Sequence, residues 1–262
     1  MRFGQECPHW ANWHGGCIAC RAMETTAYIA LSRQVALHRR MEVIANNVAN
    51  MTSSGFKAEA LVFEPAWHRA GRDLRLAFVQ DLGVARDLRA GPMIPTGNDL
   101  DLAIDGPGYF AVETAQGVRY GRGGQFRLNE FGELVTSAGD PVLDEGGAPL
   151  ALPPDAGAIS IAADGTVSTA QGVAGRIGLV EFAEEQRLHK VGGGLYDTDE
   201  PPLPAERSRV VPGMLEGSNV QPILEMTEMM TTVRAYQSTH RLLETHHELQ
   251  RRTIERMLEV AG

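Results

Sequence analysis

The chain has 262 residues, a formal net charge of −9 and 43% hydrophobic residues, with only 6% aromatics. That length allows one or two domains, and the hydrophobic fraction excludes wholesale disorder. No apolar run reaches the ~18 residues of a membrane-spanning helix. The acid excess argues against nucleic-acid binding, which needs a basic footprint, and three cysteines are too few for a disulfide scaffold.

In chain order, the first feature is a tail of foreign composition. Cys7, Cys17 and Cys20 are all the cysteines of the chain, and Trp10 and Trp13 lie beside them. Residues 1–22 are expected to be an upstream or disordered extension, because Met23 opens the helical pattern directly, with Glu24 in the first turn where the helix dipole favours an acid. The competing reading makes Cys7, His9, His14, Cys17 and Cys20 zinc ligands, since Cys17-x-x-Cys20 is a permitted spacing. No apolar core of a secretory signal is present.

Residues 23–55 read as a helix followed by its stop. Met23 to Asn50 contains no Gly or Pro, and Ala27, Ala30, Gln34, Leu37, Met41, Ile44 and Val48 recur at intervals of 3 and 4, a heptad-type seam. The helix would be roughly 40 Å long. Asn46, Asn47 and Asn50 weaken its end, and Gly55 is a candidate left-handed cap. Residues 56–98 read as an extended linker with some strand.

From 99 to 198 the rhythm changes to short apolar runs between turns: Leu102–Ile104, Tyr109–Val112, Val118–Tyr120, Phe126–Leu128, Leu134–Val135 and Ile177–Phe182. Asp164-Gly165, between Ile161 and Thr166, is a two-residue hairpin signal. Runs at this spacing without intervening helices predict an all-β domain. Of the 29 glycines, 19 lie between Gly97 and Gly194, so the turns concentrate there. Residues 51–222 hold 24 acids and 14 bases, which places the net negative charge in this middle part. Pro201, Pro202, Pro204 and Pro212 mark a return linker over 199–222.

Residues 223–262 read as a second, longer helix of roughly 57 Å, with Pro222 suited to its first turn and Ser218 or Asn219 as candidate caps. Met226, Met229, Val233, Tyr236, His240, Leu243, His247, Gln250, Ile254 and Met257 follow the 3-4 rhythm. The fold class is therefore α+β: a central all-β domain with long N- and C-terminal helices that pair as a coiled-coil-like layer. The apolar stripes are wide and the helices unequal, so pairing leaves apolar surface, which marks an interaction site.

Catalytic chemistry is not visible. Gly121-Arg122-Gly123-Gly124 lacks P-loop spacing and leads into a strand, whereas an anion needs a helix N-terminus. The turn aspartates Asp99, Asp101 and Asp105 lack EF-hand spacing, His246 and His247 are adjacent and lack the i, i+4 spacing of a zinc pair, and no G-x-S-x-G occurs. No catalytic, cofactor or metal residue is assigned. A metal-binding protein or enzyme using the N-terminal Cys/His cluster is the reading from another class.

Ala45-Asn46-Asn47-Val48-Ala49-Asn50, then Thr52, Gly55, Phe56 and Lys57, resembles the N-terminal signature of bacterial flagellar rod and hook proteins. Gly106-Pro107-Gly108-Tyr109-Phe110, then Tyr120, Arg122, Gly124, Phe126 and Gly132-Glu133-Leu134-Val135 with Gly139, is similar to their central β domain. Leu215-Glu216-Gly217-Ser218-Asn219-Val220 with Arg234-Ala235-Tyr236-Gln237 resembles their C-terminal signature. Gly121 stands where that family commonly has Thr. The run from Met226 to Glu244 is most similar to the rod members, with a distal-rod, FlgG-like subunit as the competing reading. The resemblance covers about residues 23–262 and implies a structural subunit of the flagellar basal-body rod in the periplasm, which assembles axially and transmits torque. It implies export by the flagellar type III apparatus, and as partners other rod subunits (FlgB, FlgC and FlgG types) and copies of itself, with no cofactor, no nucleic acid and no direct membrane insertion. The assembly interface is then expected at Leu37, Met41, Ile44, Asn46, Asn47, Val48 and Asn50 on the first helix. On the second it is expected at Met226, Met229, Val233, Tyr236, Leu243, Ile254 and Met257. The Asn amides are candidates for hydrogen bonds between subunits.

Overall fold

Two uninterrupted helices bracket a β-rich middle. The computed structural model describes residues 18–69, 75–153 and 157–261. Cys7, His9, His14 and Cys17 lie outside the described residues, as do the side chains of Cys20 and Met257. Helix α1 spans Ile18–Ala49 and helix α2 Pro222–Ala261; α1 thus begins upstream of Met23. Absence of Gly, and of Pro beyond the first position of α2, lets both run long. The end of α1 is marked by Asn50, whose backbone N–H is shared between the carbonyls of Asn46 and Asn47, both at 3.1 Å, and whose Nδ2 returns to the Asn46 carbonyl at 2.9 Å. Among the described residues no helix is long and apolar enough to cross a membrane.

The chain divides into two compact units. One holds α1 up to Glu42, residues Leu61–Gly83, and α2 from Thr227 onward. In it, α1 and α2 touch where the Arg40 guanidinium donates to Glu228 Oε1, with Nε at 3.0 Å, and where the His38 and Tyr236 rings lie 6.4 Å apart. Strands β1 (Glu59–Arg69) and β2 (Arg75–Arg86) pair with each other. They occupy much of the segment expected as an extended linker.

The other unit comprises residues Val43–Ala60 and Val84–Met226. It contains β3 (Met93–Pro95), β4 (Leu102–Asp105), β5 (Tyr109–Thr114), β6 (Gly117–Gly121), β7 (Phe126–Leu128), β8 (Leu134–Thr136), β9 (Ser160–Ile161), β10 (Thr166–Thr169) and β11 (Gly172–Arg176). These are followed by β12 (Leu179–Glu181), β13 (His189–Gly192), β14 (Leu195–Asp197), β15 (Leu203–Pro204), β16 (Arg209–Pro212) and β17 (Met214–Glu216). The largest sheet has the order β13-β14-β6-β5-β12-β15, beside a three-stranded sheet β11-β10-β9 and the pairs β7-β8, β16-β4 and β17-β3. These strands pair antiparallel.

Successive residues of a strand face opposite sides, and β5 uses both. Phe110 and Val112 enter a core with Leu102, Ile104, Phe126, Leu134 and Val142. Tyr109 enters a smaller one with Phe182, Leu188 and Tyr196. Aromatic rings join both cores: Phe110 meets Phe126 edge-on at 5.0 Å and Tyr109 meets Tyr196 at 6.0 Å, geometries that ring quadrupoles favour.

Three local expectations are corrected. The Asp164-Gly165 hairpin has a three-residue loop: Ala162 N–H bonds the Thr166 carbonyl at 2.9 Å, and Gly165 takes φ +86°, the bulged form of such turns. Ser218 and Asn219 do not cap α2, since Ser218 Oγ accepts from Val220 N–H and Asn219 bonds Ala58, Asp87 and Arg89. The proline-rich segment after 199 is more than a linker: β16 pairs with β4, and β17 with β3. Both strands are too short to carry a periodic signal, and Pro212 sits at the end of β16, a position a strand tolerates.

Candidate assembly interface and its anchor

Three segments distant in sequence converge on one buried carboxylate. Glu216, at the end of β17, is 0% exposed. Its Oε1 lies 2.7 Å from Lys57 Nζ and accepts from Gly91 N–H at 3.0 Å; its Oε2 accepts from Arg122 Nε at 2.8 Å. Two cations face one anion, and the excess donors are met by carbonyls. Lys57 Nζ donates to the Arg89 carbonyl at 2.8 Å, and Arg122 Nη1 donates to the carbonyls of Gly106 and Gly108 at 3.0 and 2.7 Å. Such pairing is what makes a buried charge cluster tolerable. Burial by itself would raise the Glu216 carboxyl, but Arg122 and Lys57 outweigh it and hold the group below its ordinary value. Burial, reinforced by Arg122, pulls the Lys57 ammonium down against the opposing pull of Glu216.

Backbone approach completes the anchor. Gly55 N–H and Ser54 Oγ both donate to the Glu216 carbonyl, at 2.8 and 3.0 Å. Gly55 has φ +69°, and a Cβ there would lie 2.5 Å from the Arg122 carbonyl carbon, so this glycine serves close packing against Arg122 and not the capping of α1. A Cβ on Gly124 would lie 1.6 Å from the Leu102 carbonyl oxygen. Asn219 Oδ1 accepts from Ala58 N–H at 2.6 Å while Nδ2 donates to the carbonyls of Asp87 and Arg89. The residues around Gly55, Arg122 and Glu216, which stand in three separate sequence motifs, are thus parts of one joint.

The expected interface residues fall into distinct classes. On α1 the seam Ala27, Ala30, Gln34, Leu37, Met41, Ile44, Val48 is the packed face: Ala30 and Ile44 are buried and the rest half-buried. Tyr28, Leu31 and Val35 form a second, exposed apolar row. On α2, Met229, Val233, Tyr236 and Leu243 are half-buried, whereas Met226 and Ile254 are exposed. The most buried α2 positions are Thr232 and Thr239, which sequence patterning passed over because threonine does not count as apolar. The packed face follows Met229, Thr232, Tyr236, Thr239, Leu243, so alternate members of the expected seam are displaced by one residue. Met230 at 54%, Leu242 and Leu249 at 51%, Ile254 at 58% and Leu258 at 69% exposure leave α2 with apolar surface that the described residues do not cover.

The asparagine amides find partners within their own chain. Asn47 is buried, and its amide bonds Glu59 and Glu225 of its own chain. Asn46 Nδ2 donates to Glu59 Oε2 at 3.1 Å, and Asn50 Nδ2 stays with Asn46. Lys57, Arg122 and Glu216 were not among the expected functional residues. Their signal was membership of the three family signatures, which names the residues but not their contacts. No group of three or more His, Cys, Asp or Glu suited to a metal occurs among the described residues.

Comparison with known proteins places these parts in register. Residues 28–57 match the flagella basal body rod protein family, residues 103–169 the flagellar hook protein FlgE/F/G D1 domain, and residues 211–256 the flagellar basal body rod FlgEFG protein C-terminal family. The flagellar basal-body rod protein FlgF of Caulobacter vibrioides is 41% identical over 90% of this chain and 98% of its own length. FlgF of Mesorhizobium japonicum is 37% identical over 84% of this chain and 92% of its own. FlgG of Bacillus subtilis is 32% identical over 87% and 97%.

Proposed function

The chain belongs to the flagellar basal-body rod protein family, as an FlgF-like structural subunit and not an enzyme, and from that premise we propose that its two terminal helices pair as a coiled-coil-like layer whose exposed rows are covered by neighbouring rod subunits. It acts in the basal-body rod together with other rod subunits. The neighbours are copies of itself and subunits of the FlgB, FlgC and FlgG types, and delivery is by the flagellar type III export apparatus.

One observation carries this reading: a helix whose packed face is already occupied still presents Leu242, Leu249, Ile254 and Leu258 to solvent. Exposed apolar rows of this extent mark an interface, and contacts of one surface with a different surface of the next copy grow an axial assembly. Covering the half that Leu242 and Leu249 still expose contributes on the order of 1 kcal/mol each. The half-buried Met41 and Leu243 of the packed faces join the same layer. The test is Leu242→Asp and Leu249→Asp in cells, read as incorporation into isolated basal bodies and as motility. Loss of incorporation with an intact fold of the purified chain is expected; normal incorporation of both variants overturns the assignment.

A further inference from the structure

The Asn46–Asn47 pair does more than close a helix. Asn47 is 1% exposed, and its amide takes both backbone groups of Glu59: Glu59 N–H donates to Oδ1 at 2.9 Å, and Nδ2 donates to the Glu59 carbonyl at 2.8 Å. The side-chain amide offers the donor and acceptor of a peptide unit, and it stands where a neighbouring strand would otherwise satisfy the first residue of β1. A second Nδ2–H goes to Glu225 Oε1 at 3.2 Å, in the first turn of α2. The last turn of α1, the start of β1 and the start of α2 therefore meet on one amide. Glu59 is also held by its side chain: Asn46 Nδ2 donates to Oε2 at 3.1 Å, and Lys190 Nζ lies 3.2 Å from Oε1 and 4.4 Å from the Phe56 ring centroid.

We infer that Asn47 is a positioning residue: its amide sets the register of β1 and of the first turn of α2 against the last turn of α1 within one subunit. The chemistry is specific to asparagine. Aspartate has no donor for the Glu59 carbonyl and would set a carboxylate against Glu225, alanine has neither group, and glutamine is a methylene too long. A single buried asparagine fixing register is an established device between helices; here it ties a strand as well. The consequence for the rod rests on the function proposed above, but the tie itself belongs to the isolated chain, so its readout there fails or succeeds independently of assembly.

The experiment is amide hydrogen exchange by NMR on the purified full chain and N47A, with incorporation into basal bodies scored in parallel. Glu59 N–H is expected to exchange about tenfold or more faster in N47A, while Ile104 and Val112 in the β core keep their wild-type rates. An unchanged rate at Glu59 overturns the inference; combined with lost incorporation, it would put the amide between subunits instead. Should N47A fail to fold, N47D and N47D/E225Q decide. In the double variant the new amide at position 225 supplies a donor to the new carboxylate at position 47. The drop in melting temperature caused by N47D should therefore be at least half reversed there, and no reversal overturns the tie.

Discussion

The joint around Glu216 and the outer surface of α2 invert the usual placement of residues. In the joint three charged side chains are buried, Lys57 at 2%, Arg122 at 3% and Glu216 at 0% exposure, and each finds partners inside the chain. Along α2, Leu242, Leu249, Ile254 and Leu258 lie in solvent, uncovered by the described residues. Buried charge is unfavourable unless satisfied, and exposed aliphatic surface is unfavourable unless covered later. The joint is thus satisfied within one chain, whereas α2 keeps aliphatic surface exposed.

The comparison breaks most severely where a buried charge loses its partner. Arg122→Met leaves Glu216 paired with Lys57 alone and orphans the carbonyls of Gly106 and Gly108. A loss of about 3–5 kcal/mol is expected, measured by urea unfolding of the full chain. Next comes the aliphatic core: Leu134→Ala, at 1% exposure, should cost about 2–5 kcal/mol by the same measurement.

Acid probes the joint without mutation. The Glu216 carboxyl titrates below its ordinary 4.5 in the folded chain. A lowered folded value means that its stabilisation is complete above 4.5 and is lost as pH falls through the folded value. Urea midpoints of wild type should therefore drop as pH falls below 4.5, and Glu216→Gln should flatten that part of the curve while starting from a lower midpoint. Equal slopes in both proteins would remove Glu216 from the acid response.

Effects should be small on the exposed helices. Arg40→Ala removes a pair with Glu228 in which both side chains are about half exposed, so the monomer loses less than about 1 kcal/mol. Leu249→Gln should change monomer stability by no more than about 0.5 kcal/mol yet abolish incorporation into the rod. That split between stability and assembly is the sharpest form of the contrast, and a large loss of monomer stability in Leu249→Gln would erase it.

The central strands were legible because apolar runs between glycine turns leave few alternatives: β4, β5, β6, β7 and β8 each contain the run that predicts them. The seam on α1 was legible too, since every member of it is buried or half-buried. On α2 the pattern held at Met229, Val233, Tyr236 and Leu243 but not at His240, and the most buried positions are Thr232 and Thr239. A 3.5-residue seam drifts on a 3.6-residue helix, and a threonine methyl packs as well as a small aliphatic group while its hydroxyl is satisfied locally. Thr239 Oγ1 donates to the Ala235 carbonyl at 2.9 Å.

By itself, then, the sequence determined the kinds of element and their order: helix from unbroken 3-4 spacing, strands from short apolar runs, and turns from glycine. Periodicity is local, and so it can be read from neighbours along the chain. Only the tertiary structure decided that Lys57, Arg122 and Glu216 share one site, that Asn47 stands in for a strand, and that Gly55 serves a close approach. Each of these depends on hydrogen-bonding partners many residues away, such as Lys57 with Glu216 or Asn47 with Glu225. A buried polar group is defined by its partners, and spacing along the chain does not name them.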